Sequence, residues 1–312
     1  MIAPDVTDIV SHVAVRARNA RLLFATCYDS PTLARLKLLH GHQLEVRVTL
    51  SGDVAFKEIA KAAPASRPKA PSAPAAAARP QFTKFAITSE EFGGLLVGAK
   101  SLNQKLLREN LPDWIRVPES AAIPFGVFEE VLNWKENKSI LERCRQLSRS
   151  LEQNASPTKT LEELRSTINQ LQAPDAMAQA FAQALKASHL TPPQCWDDAW
   201  NRIRRVWASK WNERAYFSRR TMGMAHEHLF MAVLIQPMVP AEYAFVIHTA
   251  NPITGERGEL LAEIVLGLGE ALVGNYAGRA LSFVADKQSR RHRLLSYPSK
   301  SIGLYGNGLI FR

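Results

Sequence analysis

A segment rich in proline and alanine at residues 61–81 is the feature that most limits how this chain can fold. It reads KAAPASRPKAPSAPAAAARPQ and contains almost no large apolar side chain. Such a composition cannot form a packed core and favours an extended spacer. Because a chain of 312 residues is long enough for two domains of ordinary size, we predict one domain on each side of this linker.

The part before the linker, residues 1–60, has the pattern of a small α/β unit. We predict a helix at residues 11–20, a strand at 22–27, a second helix at 32–40 and a strand at 44–50, where the sequence is LEVRVTL. A unit of this size is short for a complete domain of the α/β class. We therefore expect residues 1–60 to be the C-terminal part of a larger domain.

The part after the linker, residues 82–312, has the pattern of an α+β domain. Leucine and isoleucine recur at spacings of three and four over residues 139–190, which predicts a run of helices. We also predict a strand at 82–87, a helix at 100–110 and two buried strands within 231–249. The sequence LLAEIVLGLGEALVG should form a strand, a turn and the start of a helix, and GLIFR a last strand. We expect the domain to continue beyond Arg312.

The charge balance favours an anionic partner. Lysine and arginine number 39 against 29 aspartates and glutamates, which gives a net charge of +10 and suits a nucleotide, a phosphate or a nucleic acid. No apolar run approaches the roughly 20 residues that span a bilayer, and we predict no membrane partner. Three scattered cysteines indicate neither a disulfide framework nor a zinc site, so a reducing compartment is expected.

A histidine at the predicted start of the first helix is the first candidate for catalysis. His12 lies in SHVAVRARN, where the free amides and positive dipole end of a helix favour an anion such as a phosphate on the imidazole. Arg16 follows four residues later, on the same helical face, and could neutralise phosphate oxygens. The spacing alone also fits an ordinary capped helix with a partly exposed histidine.

Two turns at predicted helix starts are candidates for binding phosphate or metal. The turn VGAKS contains Lys100 and leads into a helix, although it lacks the spacing of a Walker loop. The turn GLGE contains Glu270, which with Glu263 offers carboxylates for Mg²⁺. A helix-capping turn and solvated acids are the alternative interpretations.

One block mixes aromatic and basic residues, VWASKWNERA at residues 206–215. Stacking on a nucleic acid is one interpretation, whereas two tryptophans four residues apart on a helix are more typical of a packed core. The histidines His226 and His228 have no further ligands at a convincing metal spacing.

Several blocks, taken together, resemble the alpha-glucan water dikinases over almost the whole length outside the linker. They are VSHVAVRARN, FATCYD, LPDWIRVPESAAIPFGVFEEVL, VWASKWNERAYFS, YAFVIHTANPITG, GLGEALVGNYAGRALSF and YPSKSIGL. All of them follow the order that the family has. The histidine block is also nearer to this family than to the phosphoglucan water dikinases.

The resemblance implies a fold and a reaction. The fold is a partial phosphohistidine swivelling domain (1–60), linked by 61–81 to an ATP-grasp-like nucleotide-binding domain (82–312) truncated at its C-terminus. The reaction converts ATP, an alpha-glucan and water to AMP, orthophosphate and a glucan phosphate ester. The implied roles are the phosphohistidine for His12, catalysis for Arg16, ATP binding for Lys100, Gln236, Glu270 and Arg312, and Mg²⁺ binding for Glu263 and Glu270.

The resemblance implies the chloroplast stroma as the location, or the cytosol in an organism that stores glucan there, and a homodimer is compatible with it. Alternatives remain at this point. One is a related dikinase that acts on phosphoglucan or pyruvate, and another is a catalytically incomplete nucleotide-binding fragment. A nucleic-acid binder has only the net charge in its favour, and we expect no nucleic-acid partner.

Overall fold

A computed structural model describes residues 2–3, 17, 22–49, 53–59, 80–153, 157–273, 278–300, 303–306 and 309–311. The chain divides into two compact units, residues 1–67 with 239–306 and residues 68–238 with 307–312. The first boundary lies inside the predicted linker, and the other two, after residues 238 and 306, were not expected. Helices and strands are mixed throughout, which confirms the predicted fold class. The domain limits of the sequence analysis stay a prediction.

The described residues among the first 60 form short strands and the helix at residues 30–38. Strand β1 (Ile2–Ala3) pairs in parallel with β2 (Ala25–Thr26), and β3 (Leu44–Val48) forms an antiparallel hairpin with β4 (Val54–Glu58). Helix α1 (Ser30–Leu38) begins two residues before the predicted position. The reason is a cap, because the Asp29 carboxylate accepts a hydrogen bond of 2.8 Å from the amide of Thr32. The predicted helix at 11–20 lies outside the described residues except for Ala17, which is buried.

The unit of residues 68–238 and 307–312 is mainly helical. In order it contains β5 (Ile87–Thr88), α2 (Ala99–Asn110), β6 (Ala121–Ile123), α3 (Val127–Asn133), α4 (Lys138–Gln153), α5 (Thr158–Ile168), α6 (Asp175–Ala187), α7 (Trp196–Ala208), α8 (Glu213–Thr221) and β7 (Val233–Pro237). The helices predicted within 139–190 are confirmed. The predicted strand at 82–87 is shorter and later, since only Ile87 and Thr88 pair with the three-residue strand β6.

A four-stranded antiparallel sheet lies within residues 239–306. Its strands are β8 (Tyr243–His248), β9 (Glu259–Leu266), β10 (Leu281–Asp286) and β11 (His292–Ser296), in the order β11-β10-β9-β8. The short helix α9 (Glu270–Val273) follows β9 and packs against the sheet, so the predicted strand, turn and helix start are confirmed. The last described strand, β12 (Leu309–Phe311), instead pairs with β7.

The sheet β12-β7-β6-β5 is buried on both faces at its centre. Val233 and Ile235 of β7 pack into the large core formed with the helices, whereas Leu234 between them packs on the opposite face. Alternate residues of a strand point to opposite faces. The fully buried Ala121 and Ala122 of β6 divide in the same way. Packing on both sides therefore fixes which side chains of β6 and β7 project from each face of this sheet.

Aromatic residues fill the helical core. Trp207 is completely buried, and its ring centroid lies 5.3 Å from that of Phe128 and 5.4 Å from that of Trp200. The indole nitrogen of Trp200 donates a hydrogen bond of 2.9 Å to the carbonyl oxygen of Leu171. Trp211 is also buried. The packed-core interpretation of these tryptophans is therefore confirmed.

The three cysteines are free thiols, and Cys144 is buried. Burial raises the pKa of the Cys144 thiol to about 11. Within the described part of the chain, no helix is long and apolar enough to cross a membrane.

Two cations lie in the helical core, which the sequence analysis did not predict. Lys210 is 8% exposed and Arg219 is 3% exposed. Burial lowers the pKa of Lys210 to about 8, while Glu129 and Glu227 favour its charged form. Because the charged ammonium is desolvated on folding, the protonated side chain costs folding free energy.

Lys210→Met should therefore raise stability most at neutral pH. The folded-state pKa of about 8 lies below the ordinary value of 10.5. Between these two pH values the unfolded chain binds more protons than the folded chain, so the stability of the wild type increases as the pH rises. The gap of about 2.5 pKa units corresponds to roughly 3 kcal/mol. Urea unfolding at pH 7, 8, 9 and 10 should show the advantage of Lys210→Met shrinking above pH 8.

The matched control is Lys186→Met, at an exposed position of α6. Its free energy of unfolding should differ from that of the wild type by the same small amount at every pH. A difference between Lys210→Met and wild type that stays constant from pH 7 to pH 10 would contradict the prediction.

Candidate functional site

The loop before α2 presents Lys100 to solvent at the first turn of a helix. Gly98 is the N-cap of α2, and among the described residues no side chain caps this end of the helix. Lys100 is exposed, while Ser101 next to it is 3% exposed. The amides at a helix start and a lysine ammonium both favour an anion. The geometry predicted for this turn from the sequence is therefore present.

The turn at residues 97–101, called the lysine loop below, packs against β7, the strand that contains Gln236. Val97 is 1% exposed and belongs to the same apolar cluster as Leu234 of β7. The amide of Phe125 also donates a hydrogen bond of 2.7 Å to the carbonyl oxygen of Leu96. Gln236 lies two residues after Leu234, so both side chains project from the same face of β7. The structure thus places Gln236 on the sheet face that the lysine loop covers.

A cavity of about 880 Å³ lies beside this loop, and it was not predicted. Its lining is mostly apolar and includes Gly94, Leu95, Phe125 and Phe230, with Thr83 among the polar residues. Its volume is within the range of small-molecule sites. Neither Lys100 nor Gln236 is among its lining residues.

Glu263 is a buried carboxylate in the middle of β9. It is 1% exposed, and the hydroxyl of Ser282 lies 3.3 Å from Glu263 Oε1 as a hydrogen-bond donor. The hydroxyl of Ser296 lies 3.0 Å from that of Ser282 and 2.8 Å from the carbonyl oxygen of Ala280. Buried carboxylates require such partners because desolvation disfavours their charge. The interpretation of Glu263 as a solvated acid is wrong, since the side chain is inside the protein.

Glu270 differs from Glu263 in its surroundings. It is exposed and begins the four-residue helix α9, whose Ala271 and Leu272 are buried. Within the described ranges, no group of three or more histidines, cysteines, aspartates or glutamates could hold a metal ion. Glu263 and Glu270 lie in the unit of residues 239–306, whereas Lys100 and Gln236 lie in the unit of residues 68–238.

The turn before Glu270 depends on a glycine with a left-handed backbone. Gly267 has φ of +72° and forms a parallel bridge with Leu304. The amide of Leu268 donates a hydrogen bond of 2.6 Å to the carbonyl oxygen of Leu304. A β-carbon at residue 267 would fall on that same carbonyl group. The backbone around Leu304 therefore fixes where α9, and with it Glu270, begins.

An asparagine that the sequence analysis did not single out orders the loop between β8 and β9. Asn251 is 2% exposed, and its amide nitrogen donates a hydrogen bond of 2.6 Å to Glu259 Oε2. Its side-chain oxygen accepts a hydrogen bond from the amide of Ile253. The sequence signal was the Asn-Pro pair at residues 251–252, which is typical of a turn.

Three predicted site residues, His12, Arg16 and Arg312, lie outside the described residues. Their roles stay predictions. His226 is not part of a metal site in the described chain, and its Nδ1 instead accepts a hydrogen bond of 3.2 Å from Arg219 Nε.

Two stretches of the chain match known protein families. Residues 1–65 match the alpha-glucan water dikinase phosphohistidine-like domain, and residues 194–303 match the pyruvate phosphate dikinase AMP/ATP-binding domain. Four alpha-glucan water dikinases align with the whole chain, as expected from the sequence blocks. Two of them are the chloroplastic alpha-glucan water dikinase of Citrus reticulata, at 44% identity over 327 residues, and the chloroplastic alpha-glucan water dikinase 1 of Arabidopsis thaliana, at 43% over 324 residues.

The aligned region is a small part of each relative. The chain covers 22% of the Citrus protein and 23% of the Arabidopsis protein, so it spans about a fifth of the curated relatives it matches. The phosphoenolpyruvate synthase of Pyrococcus furiosus is 40% identical over 77 residues, which is 25% of this chain and 9% of that protein. The resemblance predicted from the sequence blocks is confirmed.

Gly267→Ala should destabilise the chain, because alanine disfavours the left-handed backbone and its methyl group would meet the Leu304 carbonyl. We expect a loss of about 2 kcal/mol or more in the free energy of unfolding measured in urea. Gly269→Ala is the control, since a β-carbon there would lie at an ordinary 3.7 Å from Ala244 Cβ. Equal stability of the two variants would show that the turn is not constrained as described.

Proposed function

We propose that this chain, homologous along its whole length to the alpha-glucan water dikinases, carries the phosphohistidine and ATP-binding segments of such an enzyme. The observation that supports this is the alignment over the whole chain, at more than 40% identity, with relatives of that name. The order of the two matched domain families supports it as well. The match to a phosphoenolpyruvate synthase covers only a quarter of the chain, which favours a glucan over pyruvate as the acceptor.

The proposed reaction proceeds through a phosphate on His12. An imidazole nitrogen of His12 forms a bond to the β-phosphorus of ATP as the bond to the AMP oxygen breaks, and water takes the γ-phosphate as orthophosphate. A glucan hydroxyl then attacks the phosphohistidine, loses its proton and releases the imidazole. Arg16 would neutralise the phosphate oxygens during both transfers, since such transfers depend on positioning and on charge stabilisation.

Lys100 and Gln236 are the proposed ATP contacts within the unit of residues 68–238. Lys100 is exposed at an uncapped helix start, where a phosphate chain would meet both the ammonium and the free amides. Gln236 projects from the sheet face that the lysine loop covers, and its amide can both donate to and accept from an adenine edge. Arg312 is proposed to bind phosphate, on the strength of the resemblance alone.

Glu263 and Glu270 are the proposed ligands of Mg²⁺. Carboxylate oxygens suit this ion, which commonly binds one or two carboxylates together with substrate phosphates and water. The buried and hydrogen-bonded carboxylate of Glu263 fits such a role because its position is fixed. When bound, Mg²⁺ would neutralise charge on the phosphates. Glu270 would also contact ATP.

The proposed setting follows from the relatives. Several are named chloroplastic, and we assign the chain to a plastid, with the stroma as the compartment where ATP and an alpha-glucan meet. The glucan is the proposed macromolecular partner. A homodimer is compatible with this function.

The test is transfer of the β-phosphate. Incubation of the 312-residue chain with Mg²⁺ and ATP labelled at the β-phosphate should give a protein-bound label that is acid-labile and base-stable. His12→Ala should remove the label, whereas His40→Ala, at an exposed position, should keep it. Label that persists in His12→Ala would contradict the proposal, and ATP binding without label would mean a nucleotide-binding segment that does not complete transfer.

Lys100→Met should reduce the rate of labelling, because the phosphate chain of ATP would lose its ammonium partner. We expect a fall of about 10²-fold, as for loss of one charge-stabilising group in the transition state. Lys186→Met removes an exposed lysine of the same unit and should label at the wild-type rate. Equal rates for the two variants would remove Lys100 from the proposed site.

A further inference from the structure

A second cavity lies among the helices of the unit of residues 68–238, apart from the residues assigned to ATP. Its volume is about 590 Å³, and it is lined by parts of α3, α4 and the segment from Lys210 to Phe230. Neither Lys100 nor Gln236 lines it. The volume falls within the range of small-molecule sites and exceeds what a bare phosphate ion fills.

Cations are concentrated in and behind this cavity. Lys210, 8% exposed, lines it together with Arg145 and Arg149. The two arginines are four residues apart on α4, so they project from one face of that helix. Lys210 Nζ also lies 5.6 Å from the ring centroid of Trp211, and Trp211 itself lines the cavity.

Arg219 contacts two of the lining residues, Trp211 and His226, and most of its N–H donors have no hydrogen-bond partner among the described residues. Its guanidinium carbon lies 5.7 Å from the Trp211 ring centroid, and its Nε donates to Nδ1 of His226. Both terminal nitrogens are buried, and within the described part of the protein neither has a hydrogen-bond partner. Buried guanidinium donors without acceptors are costly. An anion in the adjoining cavity would offset this cost by its charge.

His226 adds a further donor to the lining. Because its Nδ1 accepts from Arg219, the neutral imidazole carries its proton on Nε2. The ring of Tyr216 stacks on that of His226 at 5.1 Å and 19°, which fixes the imidazole plane.

The cavity also contains acceptors and apolar walls. Glu129 and Glu227 line it, as do the rings of Phe128 and Phe230. Carboxylates would repel a phosphate, but they accept hydrogen bonds from hydroxyl groups. Cations, carboxylates and aromatic rings in one cavity therefore match a ligand with an anionic end and a hydroxyl-bearing carbon skeleton.

We propose that this cavity binds a phosphate monoester of a small sugar, with Lys210, Arg145 and Arg149 around the phosphate and the two carboxylates on the sugar hydroxyls. Arginine forks suit phosphate oxygens in pairs, and the partly exposed ring of Phe230 offers apolar surface to the carbon skeleton of the sugar. The proposal is independent of the function assigned above, since it shares no residue with the ATP contacts.

Binding is tested by titrating the 312-residue chain with glucose 6-phosphate, with calorimetry and tryptophan emission as the two readouts. We expect saturable binding of glucose 6-phosphate, with inorganic phosphate and glucose each at least tenfold weaker. Trp211→Phe should remove most of the emission change and keep the calorimetric signal. No heat with glucose 6-phosphate, or equal affinity for inorganic phosphate or for glucose, would overturn the proposal.

Variants separate this site from the ATP site. Arg145→Gln and Arg149→Gln are exposed substitutions that should fold, and each should weaken glucose 6-phosphate binding about three- to tenfold, with Lys210→Met weakening it further. Arg202→Gln, an exposed position on α7 away from the lining, should bind as the wild type does. Lys100→Met should also bind normally. Loss of binding in Lys100→Met, or unchanged binding in both arginine variants, would overturn the assignment.

Discussion

The packing of strand β7 between two apolar clusters is the constraint on which the larger unit depends. Val233 and Ile235 are fully buried against the helical core, and Leu234 is buried on the opposite side with Val97. Each such side chain contributes about 1.5–3 kcal/mol when it is removed from water. A shift of one residue in the pairing would exchange the two faces. The register that buries these residues is therefore also the one that turns Gln236 towards the face covered by the lysine loop.

Local sequence patterns predicted the helices and strands that depend only on residues within the same segment. Leucines at spacings of three and four identified the helices between residues 138 and 187, and two apolar runs identified β7 and β8. The prediction that both strands are buried is wrong for β8, because it is the edge strand of its sheet and Tyr243, Phe245 and Ile247 are exposed. The predictions for the start of α1 and for the strand at 82–87 were less accurate, because the Asp29 cap and the short partner strand β6 decide them. Pairing of β12 with β7 joins segments about 70 residues apart, and no local pattern encodes it.

The same distinction between local signals and long-range packing holds for the residues of the candidate site. The turn at Lys100 could be predicted, because a helix start after small residues is a local signal, and its position beside β7 came only from packing. The burial of Glu263, Lys210 and Arg219 could not be predicted, since charged side chains are almost always exposed. Burial of these residues depends on partners contributed by distant elements, such as Ser282 for Glu263 and His226 for Arg219.

The strand order β12-β7-β6-β5 has a consequence for how the chain assembles during synthesis. About a hundred residues separate β6 from β7, and about 70 more separate β7 from β12, so the sheet forms only after two long loops have closed. When β7 leaves the ribosome, its second edge has no neighbour until the residues of β12 have been made. An apolar strand with an open edge is prone to pair with other chains. Nascent chains in which β7 has left the ribosome before the residues of β12 are available would thus be the ones most dependent on chaperones.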